Sequence, residues 1–494
     1  MQKKAFLQTV ALVAVSVVVL LSCTDSGAAG QRGLGQITVG TGENPVLLTY
    51  MAERFNKERN PDIKIEIVYT GEWMGNENMA KLVAAGRMPD IIYVENPQFP
   101  LQNGWLVDMN QFAAKEESID IPDAFLRYGT VGDMLIMLPY QVFLGGIMVN
   151  LSLLDAENIP RPDYNWTIDD FVNIVRSGTR PGRIIGINRS DFLLAHLPAQ
   201  LNNDLGWGSF NSTTRQFQLR PEWLQAANIA AGIARSNLTL FDQLDRYGNQ
   251  WDFEEGSDRR VAIEDERRAA MWEIVGGGLN EDWQPWVAGR AATWWDFSWG
   301  MNFDVKNKDI YTGFEWDFFP LPTGDRNTVS RPAIVMDSIG ITTAAADPEA
   351  AWEFVKWLTY DIDGINARFD FVENWNREEA LKRWPGWPES QYPEVFEFTQ
   401  IPPTTHPEVV ERWVELNNAR PGLRFIISNM DTGYIDGFKV VPGFSAYNGP
   451  EPTTIEKTWL NQVRTGQRTS ADIVDEVETI ANRNIAEVFA SLGL

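Results

Sequence analysis

Residues 89–96, PDIIYVEN, hold a short apolar run that is bounded by Pro89 and by polar residues. Such a run is typical of a buried strand that reaches an exposed loop. Two more strands precede it, ITVG at 37–40 and a run at 63–68 in which isoleucine alternates with charged residues. Segments with helical spacing separate the three strands. The order strand, helix, strand, helix, strand predicts an α/β fold.

Polar residues follow the first and the third of these strands. Glu43 and Asn44 come after the first strand, and Glu95 and Asn96 come after the third. In open α/β sheets, ligands bind beyond the carboxyl ends of the strands. We therefore expect all four residues to contact a ligand.

The first 22 residues predict export. Lys3 and Lys4 form a basic head, and the apolar run at 11–21 is too short to span a bilayer comfortably, as in a secretory signal peptide. Cys23, the only cysteine, follows directly, and the stretch resembles a bacterial lipobox, which implies lipidation of Cys23. Residues 23–35 would then be a flexible, lipidated tether. The alternative is an ordinary signal peptide with a chance cysteine.

Composition and charge exclude several classes of protein. The chain has 494 residues, 44% of them hydrophobic and 22% charged, which is ordinary for a soluble protein with two or more lobes and excludes a membrane channel. Loss of Lys3 and Lys4 leaves 40 basic and 67 acidic residues. Such a surface repels nucleic acid and anionic lipid, so membrane association should come from the lipid alone.

Nine segments together resemble the extracellular solute-binding proteins of family 1, the carbohydrate-binding lipoproteins of bacterial ABC importers. They occur in the family's order and cover most of the chain from Ile37 to Leu494. The segments are 51–69, 81–96, 103–112, 133–159, 166–171, 289–300, 318–325, 338–359 and 463–483.

The resemblance implies a two-lobe periplasmic-binding-protein fold of the class II type, with the ligand held between lobes that crossover hinge strands connect. Lobe one would combine 36–142 with 321–358, and lobe two would combine 147–317 with 364–494. Hinges would lie near 139–149, 318–322 and 359–363. The implied protein is an extracytoplasmic monomer of the cell envelope that delivers a carbohydrate, of oligosaccharide size, to the membrane subunits of an ABC importer.

Catalytic machinery is not evident in the sequence. His196, in an apolar run, is expected to be a core residue, and two histidines exclude a His-rich metal site. The carboxylate pairs Asp169-Asp170 and Glu254-Glu255 are expected by chance among 67 acidic residues. Walker and GxGxxG motifs are absent, and VGGGLN at 275–280 is predicted to be a loop. We expect no catalytic residue, no metal and no cofactor.

Residues 291–300, AATWWDFSWG, are the strongest candidate for a sugar-binding wall. Sugars present apolar C–H faces and a rim of hydroxyls, so their sites need flat aromatic rings beside carboxylates or amides. We expect residues 291–293 to end a strand, Trp294 to be core, and Trp299 and Asp296 to contact the ligand. Trp295 is a further candidate.

Three more ligand contacts are inferred from the resemblance, namely Trp73, Tyr140 and Gln141. Trp166 matches a structural aromatic position and is assigned to packing. Two other classes of function remain open. A secreted carbohydrate-active enzyme would need two carboxylates facing each other across the cleft, and a lipoprotein scaffold or adhesin would need no closing cleft.

Overall fold

A computed structural model describes residues 34–70, 76–254, 256–302, 313–396, 399–449 and 451–494. The predicted signal peptide, Cys23, residues 23–33 of the tether and Trp73 lie outside these described residues. None of the helices within them has the length and apolar character needed to cross a membrane.

The amino-terminal elements confirm the predicted order of strands and helices. They are β1 (Gln36–Thr41), α1 (Pro45–Glu58), β2 (Lys64–Tyr69), α2 (Asn76–Ala84) and β3 (Ile91–Val94). Strand β1 pairs in parallel with both β2 and β3. The carboxyl ends of β1 and β3 therefore meet at one edge of the sheet.

The rest of the chain adds short helices and two long strands. The middle elements are α3 (Gln98–Gln102), α4 (Asn110–Ala113), α5 (Asp123–Leu126), β4 (Thr130–Val131), β5 (Met134–Leu135), β6 (Leu138–Asn150), α6 (Leu151–Ala156), α7 (Ile168–Gly178), α8 (Phe192–Leu201), β7 (Phe210–Asn211), β8 (Gln216–Phe217), α9 (Glu222–Arg235), α10 (Phe241–Leu244), α11 (Asp258–Val275), α12 (Gln284–Val287) and β9 (Thr293–Phe297). The last elements are β10 (Trp316–Phe319), β11 (Ala333–Ile341), α13 (Pro348–Thr359), α14 (Ile362–Glu373), α15 (Arg377–Arg383), α16 (Pro407–Leu416), α17 (Pro421–Ile427), β12 (Tyr434–Ile435), α18 (Gly437–Val440), α19 (Ser445–Asn448), α20 (Ile455–Thr458) and α21 (Ser470–Ser491).

Strand β6 connects the two halves of the mixed sheet. The strand order is β10-β6-β11-β3-β1-β2, with β9 also paired to β6 and β12 to β11. The first part of β6 pairs with β11, and its last part pairs with β9 and β10. The predicted hinge at 139–149 falls within β6, and the one at 318–322 begins at the end of β10. Residues 359–363 join α13 to α14.

Two hydrophobic cores lie on the sheet. The first includes residues of β1, β3, α1, α13 and α14, and the second includes residues of α7, α8, α9 and α21. Trp166 is fully buried in the second core and donates its indole N–H to the Pro320 carbonyl at 2.8 Å, which agrees with its assignment to packing. His196 is buried in α8, as predicted.

Helices α14 and α16 pack on the side of predicted lobe one. The sequence assigned 364–494 to lobe two, whereas α14 packs against α1 and α16 packs against α14. Surface pairs support this contact, including Arg59 with Asp361 at 2.9 Å. The apolar face of α14 requires a partner, but helical periodicity does not identify which one. By contrast, α21 packs in the second core.

Gly146 in β6 permits close approach of β10. A Cβ atom at this position would lie 2.7 Å from the Phe319 carbonyl oxygen and 2.6 Å from the Phe318 ring. Gly146→Ala should therefore lower the free energy of unfolding by about 2 kcal/mol, measured by urea denaturation. Gly232→Ala is the control, because it lies in α9 with no atom within 4 Å of its added Cβ. It should stabilise the fold by about 0.5–1 kcal/mol. Equal behaviour of both variants would contradict this account.

Candidate functional site

The carboxyl ends of β1 and β3 border a cavity. It has about 610 Å³ of atom-free space, including open solvent at its mouth, and Glu43, Asn44, Tyr93, Tyr140 and Gln141 line it. The structure thus brings together four of the residues that the sequence predicted as ligand contacts, together with Tyr93. This border is called the β1–β3 edge below.

Asn44 and Glu43 are held in place by backbone geometry rather than by their side chains. Asn44 has a φ of 52°, in the left-handed region that asparagine tolerates, and its side chain makes no capping hydrogen bond to α1. The Glu43 amide donates to the Thr41 hydroxyl oxygen at 3.0 Å. Both side chains are therefore left to the cavity.

Asn96 is used inside the protein. Its side-chain N–H₂ donates to the Phe438 carbonyl, and its side-chain oxygen accepts from the Gln98 amide at 2.9 Å. The side chain is 5% exposed. It joins the end of β3 to α18, so a role in binding would be indirect. Glu95 is half-buried beside it.

A charged floor behind this edge was not predicted from the sequence. Asp337, in the middle of β11, accepts from Gln141 at 3.0 Å and from the Lys439 ammonium at 3.2 Å. The side chains of Lys439 and Asp337 are only 14% and 7% exposed. A carboxylate within the apolar strand AIVMDSIGI was the one signal that could have identified this floor.

Asp337 and Lys439 interact electrostatically with side chains that line the cavity. Burial raises the pKa of Glu43; the nearby Asp337 raises it further, and Lys439 lowers it. Burial also raises the pKa of Tyr93 well above its usual value, with Asp337 contributing. Tyr140 has one ring face covered by the Arg368 guanidinium, 4.3 Å from the ring centroid. Its exposed portion belongs to the cavity.

The aromatic segment 291–300 forms a second edge, here called the β9 edge. The strand spans Thr293–Phe297, so the expectation that residues 291–293 end a strand was wrong by about four residues. Trp294 and Trp295 point to opposite sides of it, Trp294 into the first core, as predicted, and Trp295 into the second. Trp295 is 7% exposed and stacks on Phe192 at 4.8 Å, which leaves it little surface for a ligand.

Trp299 is the exposed ring of this edge. It is 40% exposed, and its other surfaces contact Phe143 at 5.0 Å and Phe297 at 4.5 Å between ring centroids. Phe143 and Gln141 are two residues apart on β6 and therefore share one face of the sheet. Trp299 thus lies on the same side of β6 as Gln141 and, through its pairing, Asp337.

Asp296 lies beside Trp299. Burial raises the pKa of Asp296 to about 7, although hydrogen bonds from the Phe297 amide and the Trp299 side chain lower it. The Phe297 amide donates to its Oδ1 at 2.8 Å. Gly300 permits this arrangement, because a Cβ there would lie 2.1 Å from Asp296 Oδ2.

His196 and Asp170 have structural environments. Burial lowers the pKa of His196 to about 3, and the ring nitrogen Nδ1 is 3.2 Å from the Tyr434 hydroxyl. Asp170 closes the capping box of α7 with Thr167. Glu255 lies outside the described residues. A neutral buried imidazole and a capping carboxylate are explained by folding alone.

Comparisons with known proteins give one family. A family model described as bacterial extracellular solute-binding protein matches residues 41–361. A sequence search of curated proteins found no match.

Solved structures share the fold at low sequence identity. The substrate-binding protein Lmo0181 from Listeria monocytogenes, in complex with cycloalternan, is 16% identical, with a TM-score of 0.58 over 93% of this chain and 99% of that one. A cyclo/maltodextrin-binding protein complexed with maltotetraose is 14% identical, with a TM-score of 0.57 over 93% and 98%. The sugar-binding protein MalE from Xanthomonas citri is 12% identical, with a TM-score of 0.58 over 92% and 98%. The two-lobe α/β fold predicted from the sequence is confirmed.

Proposed function

Because the chain belongs to the family of bacterial extracellular solute-binding proteins, we propose that its solute is a carbohydrate, bound between the β1–β3 edge and the β9 edge. The observation that supports a carbohydrate most is the exposed ring of Trp299 beside the Asp296 carboxyl group. A ring can stack on the C–H face of a pyranose while the carboxylate accepts from its hydroxyls.

The opposite edge supplies complementary groups. Glu43, Asn44 and Gln141 offer oxygen acceptors and amide donors along the cavity. Aromatic and polar groups separated in this way suit a ligand longer than one sugar ring, and the neighbouring structures solved with cycloalternan and maltotetraose are consistent with an oligosaccharide. Trp73 belongs to this proposal through the sequence alone.

Transport follows from closure of the cleft. Strand β6 carries Tyr140 and Gln141 of the β1–β3 edge and pairs with β9 nearer its other end, so a ligand that bridges both edges favours a closed state. The family is extracytoplasmic. The monomeric protein, anchored by a lipid on Cys23, would present the closed state to the membrane subunits of an ABC importer.

Isothermal titration calorimetry against a panel of mono- and oligosaccharides tests this function. We expect at least one neutral oligosaccharide to bind with micromolar or tighter affinity and to be recovered intact. Absence of binding across a broad panel would overturn the carbohydrate assignment. Hydrolysis of a glycoside that is lost on substitution of Asp296 or Glu43 would favour an enzyme instead.

The affinity should depend on pH through Asp296. The raised pKa means that this carboxyl stabilises the unliganded fold most at low pH, and the contribution is lost as the pH rises through about 7. Ligand affinity has the opposite dependence on pH, because only the ionised carboxylate of Asp296 is a strong hydrogen-bond acceptor. Affinity should rise about tenfold between about pH 6 and pH 8.

Calorimetry of Asp296→Asn at the same pH values provides the comparison. The amide keeps an acceptor oxygen but does not titrate, so its affinity should vary much less across the range. An unchanged pH profile in this variant would assign the dependence to another group.

A further inference from the structure

Arg189 occupies the β9 edge beside Asp296. Residues 185–188 run parallel to β9, since the Ala292 amide donates to the Ile185 carbonyl at 2.9 Å and the Thr293 amide donates to the Gly186 carbonyl at 2.9 Å. The Asn188 side chain continues the pairing, accepting from the Trp295 amide at 2.9 Å. Arg189 therefore stands at the carboxyl end of this segment, on the edge where ligands bind in open α/β sheets.

A buried carboxylate fixes the orientation of this arginine. Arg189 Nε donates to Asp191 Oδ1 and Nη2 donates to Oδ2, both at 2.5 Å. The Asp191 side chain is 6% exposed, whereas that of Arg189 is 45% exposed. Among the hydrogen bonds of the described residues, none uses Arg189 Nη1. A bidentate pair of this kind fixes the guanidinium plane, and Nη1 remains for a further acceptor.

Asp191 already neutralises the positive charge of Arg189 at hydrogen-bond distance. The neighbouring Asp296 and Glu456 form no ion pair among the described residues, and burial together with the nearby Asp191 raises the pKa of Glu456 to about 7. Negative charge thus exceeds positive charge at this edge when these groups ionise. An entering carboxylate would meet net repulsion, whereas a hydroxyl or ring oxygen would not.

We propose that Arg189, oriented by Asp191, donates from Nη1 to an oxygen of a neutral sugar, and that the cleft rejects acidic sugars. This inference rests on the proposed function. It makes Arg189 a specificity-determining residue and Asp191 a positioning residue. Neither residue was predicted from the sequence, since only the pairing of 185–188 with β9 places them at this edge.

Calorimetry of Arg189→Lys tests the first part, with the tightest neutral oligosaccharide of the panel as the probe. Lysine keeps the charge but loses the planar fork, so affinity should fall about tenfold or more. Arg220→Lys is the matched control, because Arg220 makes the same two-pronged pair with Asp475 on an exposed surface. Its affinity should equal that of the native protein.

A double-mutant cycle separates positioning from a purely structural role. Asp191→Asn should weaken binding, and its effect should be largely absent in the Arg189→Lys background, whereas stability effects are read separately from urea denaturation. If Asp191→Asn lowers stability but leaves affinity intact, the positioning role is overturned.

Comparison of ligands tests the second part. The neutral oligosaccharide should bind at least tenfold more tightly than the same chain with one residue oxidised to its uronic acid. Tighter binding of the acidic sugar would overturn the charge inference. If no saccharide binds the native protein, the proposed function fails; if neutral sugars bind and Arg189→Lys matches Arg220→Lys, only this inference fails.

Discussion

Trp299→Ala should weaken oligosaccharide binding by about 2 kcal/mol, or roughly 30-fold. The ring contacts Phe143 and Phe297 and is 40% exposed, and in the proposed site its exposed part stacks on the sugar. Its removal takes away the stacking face but leaves the carboxyl and amide groups of both edges. Calorimetry at constant pH measures the change, and circular dichroism checks that the fold is retained.

The structure offers two comparison tryptophans. Trp272 is 43% exposed, but it lies on α11, which contributes no residue to either edge, so Trp272→Ala should leave affinity unchanged. Trp295 stacks on Phe192 in the second core, so Trp295→Phe should lower stability more than affinity. If Trp299→Ala binds like the native protein, the aromatic wall has been assigned to the wrong ring.

Lys439→Met should lower the free energy of unfolding by about 3–5 kcal/mol. The substitution removes the cationic partner of the buried Asp337 carboxylate and leaves it hydrogen bonds with the neutral side chains of Gln141 and Tyr93. Desolvation of an uncompensated charge is among the largest penalties that a single substitution produces. Urea denaturation near neutral pH measures the loss.

Two further variants identify the cause. Lys81→Met removes an exposed lysine that pairs with Glu77 on α2, so stability should change by less than about 0.5 kcal/mol. The double variant Lys439→Met/Asp337→Leu removes both charges and should recover most of the loss. A loss below about 1 kcal/mol in Lys439→Met would mean that water reaches Asp337 freely.

The sequence predicted the parts of the fold that depend on local patterns. Alternating isoleucines predicted β2, and the apolar run predicted β3. The rule that ligands bind beyond the carboxyl ends of strands also identified Glu43 and Asn44, which line the same cavity. These inferences succeed because strand period and strand direction are set within a few residues.

The other features of the fold and the site depend on contacts between residues that are far apart in the chain. Lys439 meets Asp337 only after β12 pairs with β11, and the two residues are far apart in the chain. Trp295 and Trp299 lie in the same aromatic segment, and the sequence makes both of them candidates. The assembled fold buries Trp295 in the second core and leaves Trp299 exposed. The packing of α14 against α1, and of α16 against α14, likewise joins residues far apart in the chain.

A crystal structure of the protein with its tightest-binding neutral oligosaccharide tests the central claim most directly. We predict an intact sugar chain between the two edges, with one ring stacked on Trp299, Asp296 within hydrogen-bond distance of its hydroxyls, and Glu43 or Gln141 contacting the same ligand from the other side. A ligand bound outside this cleft, or one cleaved within it, would contradict the account.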